Sequence, residues 1–179
     1  MSFSDIIYLE WLYPIRDYYK SSELKLDLDK LVSFIENNLT LRTSDSYKAY
    51  AYYVLSKCER YNDSKIAALY QSVKDKNLLA MTYCGLYYTE QGDSDNKARG
   101  KIIADEVRKY LQISERSVSI NQPNSDGYWS YFGNETEQMS LILRLLVQID
   151  SKDRMVDKLI LTLLQKQKTG YWYNTATTA

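Results

Sequence analysis

The chain has no histidine in its 179 residues. That absence removes the commonest general base and the commonest metal ligand together, so any chemistry would have to come from carboxylates, amines, phenols or thiols. Cysteine is nearly as scarce. Cys58 and Cys84 stand in no metal or redox spacing, and each falls on the apolar side of a predicted helix, so both read as small buried thiols rather than a disulfide. No motif for a cofactor or metal is present; the acidic triplet Asp93-Ser94-Asp95 lacks the further carboxylates of an EF-hand loop and reads as a turn and helix cap. Net charge is absent too, with 23 basic against 23 acidic residues, and no basic block creates a field for nucleic acid or an anionic membrane. No run approaches the ~18 apolar residues of a membrane span, and Met1 to Asp5 lack the basic region of a signal peptide. No period-2 segment is long enough to predict a strand, and Pro123 and Gly127 fall together in one long polar connection.

What the chain has is tyrosine, 18 residues against 3 phenylalanines, and helical periodicity almost throughout. Tyrosine can pack its ring inside while its hydroxyl reaches water or a neighbouring backbone, which suits thin helical layers with wet edges. Residues about 3 to 20 carry Ile6, Ile7, Leu9, Trp11 and Leu12, and Pro14 predicts a break near Tyr13 because it lacks an amide hydrogen. From Asp27, the residues Leu28, Leu31, Val32, Ile35 and Leu39 mark an amphipathic helix. Ser44 or Asp45 caps the next, where Tyr47, Tyr50, Ala51, Val54, Leu55 and Cys58 keep the 3.6-residue period. A short helix through Ile66, Leu69, Tyr70 and Val73 precedes Leu78 to Tyr88, which is apolar on nearly all sides and so belongs between two layers. Gly92-Asp93-Ser94-Asp95 turns into a charged helix from about Asn96 to Leu111. After the connection Ser114 to Gly133, Met139 to Ile149 is again apolar nearly all round, and Asp157 to Gln167 is again amphipathic.

The order is inner helix, outer helix, repeated, and the fold class is all-α, built as antiparallel helical hairpins. Length predicts one helical domain over residues 1–179, burying roughly two-thirds or more of its unfolded surface. Gly127-Tyr128-Trp129 recurs as Gly170-Tyr171-Trp172, each time between a polar connection and a helix start. In the first copy Asn134 and Glu137 form a capping box; in the second, Asn174-Thr175 leads into Ala176. Gly127 and Gly170 allow the turn, and Trp129 and Trp172 offer flat surfaces that plug gaps between hairpins. The spacing of the hairpins is uneven, which disfavours a regular tetratricopeptide or HEAT array and suits an α/α toroid of inner and outer helices. Ala179 falls inside an inner helix scarcely begun, so the chain reads as a truncated fragment of a larger toroid.

The segment Gln165 to Ala179, with Gly170, Trp172, Asn174 and Thr175 in a Gly-x-Trp-x-Asn-Thr pattern, resembles a helix start in the thioester-domain toroid of the alpha-2-macroglobulin and complement family, especially its bacterial members. Ser46 to Leu55 is similar to that family's Ala-Tyr-rich inner helix, and Leu79-Ala80 to Gly92-Asp93 to the helix with a Gly-Asp turn that follows it. The resemblance implies a multidomain protease trap, periplasmic, cell-surface or secreted, whose partners are its own other domains and target proteases. In that family cleavage of a bait region exposes a Cys-to-Gln thioester, which needs Cys-x-Glu-Gln. This sequence does not contain it: Cys58 is followed by Glu59-Arg60-Tyr61 and Cys84 by Gly85-Leu86-Tyr87, and Glu90-Gln91 and Glu137-Gln138 have Tyr88 and Glu135 where the cysteine would stand. The segment is therefore expected to be a non-catalytic scaffold, with Gly127, Trp129, Gly170, Trp172, Asn174 and Thr175 as structural rather than catalytic residues. Two other readings remain. A toroidal glycosidase or terpenoid cyclase would use paired carboxylates such as Asp126 and Glu135, although no Asp-x-Asp-Asp motif is present; a helical-repeat binding module would use the tyrosines. Asn38-Leu39-Thr40, Asn62-Asp63-Ser64 and Asn134-Glu135-Thr136 fit the glycosylation pattern, of consequence only in a eukaryotic secreted protein.

Overall fold

A computed structural model describes residues 3–18, 27–39, 43–115, 117–121 and 135–167. Among them are eight α-helices: α1 (Phe3–Leu12), α2 (Leu28–Asn38), α3 (Asp45–Lys57), α4 (Asp63–Val73), α5 (Leu78–Thr89), α6 (Ser94–Arg108), α7 (Glu135–Ile149) and α8 (Arg154–Lys166). The all-α class holds. As Pro14 requires, α1 stops at Leu12 and a 3-10 turn, Tyr13–Tyr18, follows.

The start of a helix leaves amide hydrogens without intrahelical acceptors, and this sequence supplies an acceptor at one junction after another. The side chains of Asp27, Ser44, Asn62, Asn77, Asp93 and Asp153 accept from backbone amides two or three residues on, at the starts of α2, α3, α4, α5, α6 and α8. Between the two cap candidates before α3, Ser44 is the one used: its Oγ accepts from Tyr47 N at 3.3 Å. The Asp93 carboxylate serves as a cap as well, bonded to Asn96 N at 2.9 Å.

Three hairpin turns also share a left-handed residue just past the helix end: Glu59 (φ 61°), Asp75 (φ 64°) and Gly92 (φ 85°). At Glu59 and Asp75 a Cβ crowds the carbonyl, a conformation that costs about 1–2 kcal/mol outside glycine. Asp75 is held there by the Tyr110 hydroxyl, which donates to its carboxylate at 3.0 Å. Glu59 is exposed. Glu59→Gly should therefore stabilise the protein by about 0.5–1 kcal/mol, net of glycine's greater freedom when unfolded. A melting temperature raised by about 1–3 °C would bear this out; a fall would mean that the glutamate side chain contributes more than its backbone strain removes.

The short links 58–62, 74–77, 90–93 and 150–153 make consecutive helices antiparallel neighbours. α5 lies at the centre, against α3, α4, α6 and α7, and every one of its residues is buried. The row α3–α5–α7 thus forms one layer. α4, α6 and α8 lie against it, each buried along one stripe, Ile66, Leu69, Tyr70 and Val73 on α4, for example, and Val156, Leu159 and Leu163 on α8; α7, expected to be apolar nearly all round, is likewise buried on one face only, through Gln138, Met139, Ile142, Leu145 and Leu146. α1 packs on α2 and α3 at the N-terminal side. Two glycines set the separation of α5 and α6. A methyl group on Gly100 would collide with Thr89 Cγ2 and sit 3.4 Å from Gly85 O; one on Gly85 would lie 2.8 Å from a Leu145 methyl and 3.3 Å from Ile103.

The expectation of no strand, and of a helix running to Leu111, needs correction. α6 ends at Arg108, and Leu111–Ile113 (β1) pairs antiparallel with Val118–Ile120 (β2), Leu111 opposite Ile120. Tyr110 C=O accepts from Asn121 N at 2.8 Å, which closes the base of the ribbon. α8 seats it: Thr162 Oγ1 accepts from Val118 N and donates to Lys158 C=O, both at 2.8 Å, while Lys158 Nζ donates to Ser114 C=O at 2.9 Å. The Val118 amide, which would otherwise meet the side of a helix, is satisfied by one buried threonine.

Candidate functional site

The six residues singled out at the Gly-Tyr-Trp helix starts, Gly127, Trp129, Gly170, Trp172, Asn174 and Thr175, lie outside the described residues, and so do Asp126 and the Asn134 cap. Glu135, the other member of the carboxylate pair, opens α7 and forms an ion pair with Lys166 of α8 at 2.5 Å. Cys58 and Cys84 are both buried free thiols. Burial pushes the Cys58 thiol up to about 12 and raises Cys84 further. Neither has the exposure or the thiolate character that a nucleophile needs.

A cross-helix polar row is the feature with the most chemical potential. The 3-residue spacing of Tyr47, Tyr50 and Tyr53 puts all three on the buried side of α3. The rings of Tyr50 and Tyr53 lie 5.1 and 5.7 Å from that of Tyr83. At one end Glu10 of α1 accepts from the Tyr50 hydroxyl at 2.5 Å and pairs with Lys57 at 3.0 Å. The Lys57 ammonium also stands 4.4 Å above the Tyr53 ring, within the range where its charge meets the ring's negative face. At the other end the Tyr53 hydroxyl donates to Glu90 at 3.0 Å, and Arg144 of α7 pairs with the same carboxylate at 2.7 Å. Glu10, Lys57, Glu90 and Arg144 therefore join α1, α3, α5 and α7 through the tyrosines of α3.

This row is electrically balanced, two acids against two bases, and its Lys57, Glu10 and Glu90 side chains are between about 18% and 23% exposed. The Tyr53 phenol is held well above its ordinary range, first by burial and then by the Glu90 charge, so it donates and does not ionise at neutral pH. Tyr47 is raised to about 12 by burial. The arrangement offers rigid packing and a neutral, partly wet surface, not a proton-transfer pair. Of the two Glu-Gln pairs, Glu90-Gln91 is occupied at the α5–α6 junction: Gln91 donates to Tyr87 C=O at 3.0 Å and accepts from Asn96 at 2.8 Å.

Glu137 of the other pair is the one carboxyl among the described groups with a strongly raised pKa, moved from 4.5 to about 7 by burial in the first turn of α7. A carboxyl bound more tightly to its proton when folded stabilises the protein fully below pH 4.5 and loses that contribution as pH rises through about 7. Glu137→Gln should accordingly gain on the natural protein between pH 4.5 and pH 8 by about 1–2 kcal/mol, after allowance for solvent screening. Urea midpoints of both proteins across that range provide the check; parallel curves would show that Glu137 titrates normally.

A shallow depression of about 370 Å³ is lined by Ile113, Asp153, Arg154, Met155 and Lys158, where the β-ribbon meets the start of α8. Two of its polar groups already hold structure. Asp153 caps α8 and pairs with Arg108 at 2.5 Å, and Lys158 serves the ribbon. Among the described residues no group of three or more His, Cys, Asp or Glu side chains could hold a metal ion, and no helix is long and apolar enough to cross a membrane.

The tyrosine spacing on α3 was visible in the sequence; its partners were not, since Glu10 lies on α1, Glu90 just past the end of α5 and Arg144 on α7. Comparison with protein-family models, with curated proteins and with solved structures gave no match to this chain.

Proposed function

We propose that the chain is a non-catalytic scaffold module, part of an α/α toroid in the thioester-domain region of an alpha-2-macroglobulin-like protease inhibitor. The observation that supports this reading is where the reactive side chains go. Both thiols are buried and protonated, and the charges facing the α3–α5–α7 row are spent on one another. The Glu10–Lys57 and Glu90–Arg144 pairs hold helices together instead. Alternation of a fully buried α5 with striped α4 and α6 fits a layer of inner helices wrapped by outer ones. In this reading the partners are the other domains of a larger protein and, through them, target proteases, in a periplasmic, cell-surface or secreted setting.

The test uses the larger protein that this reading implies. Methylamine treatment followed by thiol titration and intact mass should release one thiol and add one amine if a thioester precedes this segment. Whether or not it does, a protease mixed with that protein should lose activity on large substrates while keeping it on small ones. Unchanged cleavage of large substrates would overturn the proposal. So would a hydrolase activity of the chain itself that is lost on substitution of Asp126 or Glu135.

A further inference from the structure

We draw no further inference here: the strongest candidate, the exposed stripe of Tyr8, Trp11 and Ile15 along α1 and the 3-10 turn after it, is an apolar face, and nothing in the structure shows what covers it.

Discussion

Gly100→Val is expected to destabilise the protein by about 3–4 kcal/mol, lowering its melting temperature by roughly 8–12 °C. The cause is local. α5 and α6 cross where Gly85 O faces Gly100, and the space a Cβ would occupy at Gly100 is taken by Thr89 Cγ2, with Thr89 N at 3.3 Å. Thr89 cannot swing clear easily, because it is 3% exposed and its hydroxyl donates to Leu86 C=O at 3.3 Å. The helices must therefore separate, and α5 is the element that α3, α4 and α7 also pack against. Gly100→Ala should cost less, about 1–2 kcal/mol, since alanine recovers up to about 1 kcal/mol of helix propensity. Thr89→Ser, which deletes the offending methyl, should restore most of the loss in the Gly100→Ala background and little in Gly100→Val. Thermal melts and urea midpoints of the four variants decide the matter. A wild-type midpoint for Gly100→Val would mean that α5 and α6 do not approach closely at this point.

That crossing also marks where sequence reasoning stopped. A glycine in a helical pattern reads as a weak position, and nothing local to Gly85 or Gly100 announces that they face each other. The glycines that stood out, Gly127 and Gly170, did so by repetition, and they fall outside the described residues. Helix existence was far more legible. The period of Tyr47 to Cys58, the Ser44 cap before it and the turn at Gly92-Asp93 are local signals, and the structure uses each one. The apolar character of Leu78 to Tyr88 gave the burial of α5 as well, because a helix without a polar face has no side to leave in water.

The β-ribbon was missed for a different reason. Strands of three residues give no usable alternation, and Leu111 continues the apolar spacing of Ile103 and Val107 by chance of position. Tertiary contacts fix the chain where the helix gives way to the ribbon. The Arg108 guanidinium joins Asp105 of its own helix to Asp153, the cap of α8, while Thr162 offers Val118 an acceptor. Asp153 and Thr162 lie more than forty residues along the chain from the groups they hold, outside any sequence window of the helix end. The polar row from Glu10 to Arg144 is illegible on the same grounds: its tyrosines are periodic, but each charge is matched by one on another helix.

Asn77→Ala should be the second most damaging of these substitutions, costing about 2–3 kcal/mol, because this buried side chain does two jobs with its two ends. Its Oδ1 caps α5, accepting from Ala80 N at 3.0 Å. Its Nδ2 donates at 2.9 Å to the hydroxyl of Ser46, which is buried in the first turn of α3. The starts of two neighbouring helices are thereby fixed to each other at a depth where water cannot replace the lost bonds. The contributions can be separated. Asn77→Ser keeps a capping oxygen but is too short to reach α3, so it should lose only about 1 kcal/mol, the share of the cross-helix bond. Ser46→Ala should lose a similar amount. Combining Ser46→Ala with Asn77→Ala should then cost less than the sum of the two, by about 1 kcal/mol of coupling. Equal losses for Asn77→Ala and Asn77→Ser would mean that the cap contributes nothing, and strict additivity would remove the bond between the helices. Hydrogen exchange at Ala80 and Met81, whose amides donate to the Asn77 side chain and carbonyl, gives a local reading of the same equilibrium: faster exchange in Asn77→Ala than in Asn77→Ser places the damage at the start of α5, inside the layer on which the rest of the array is packed.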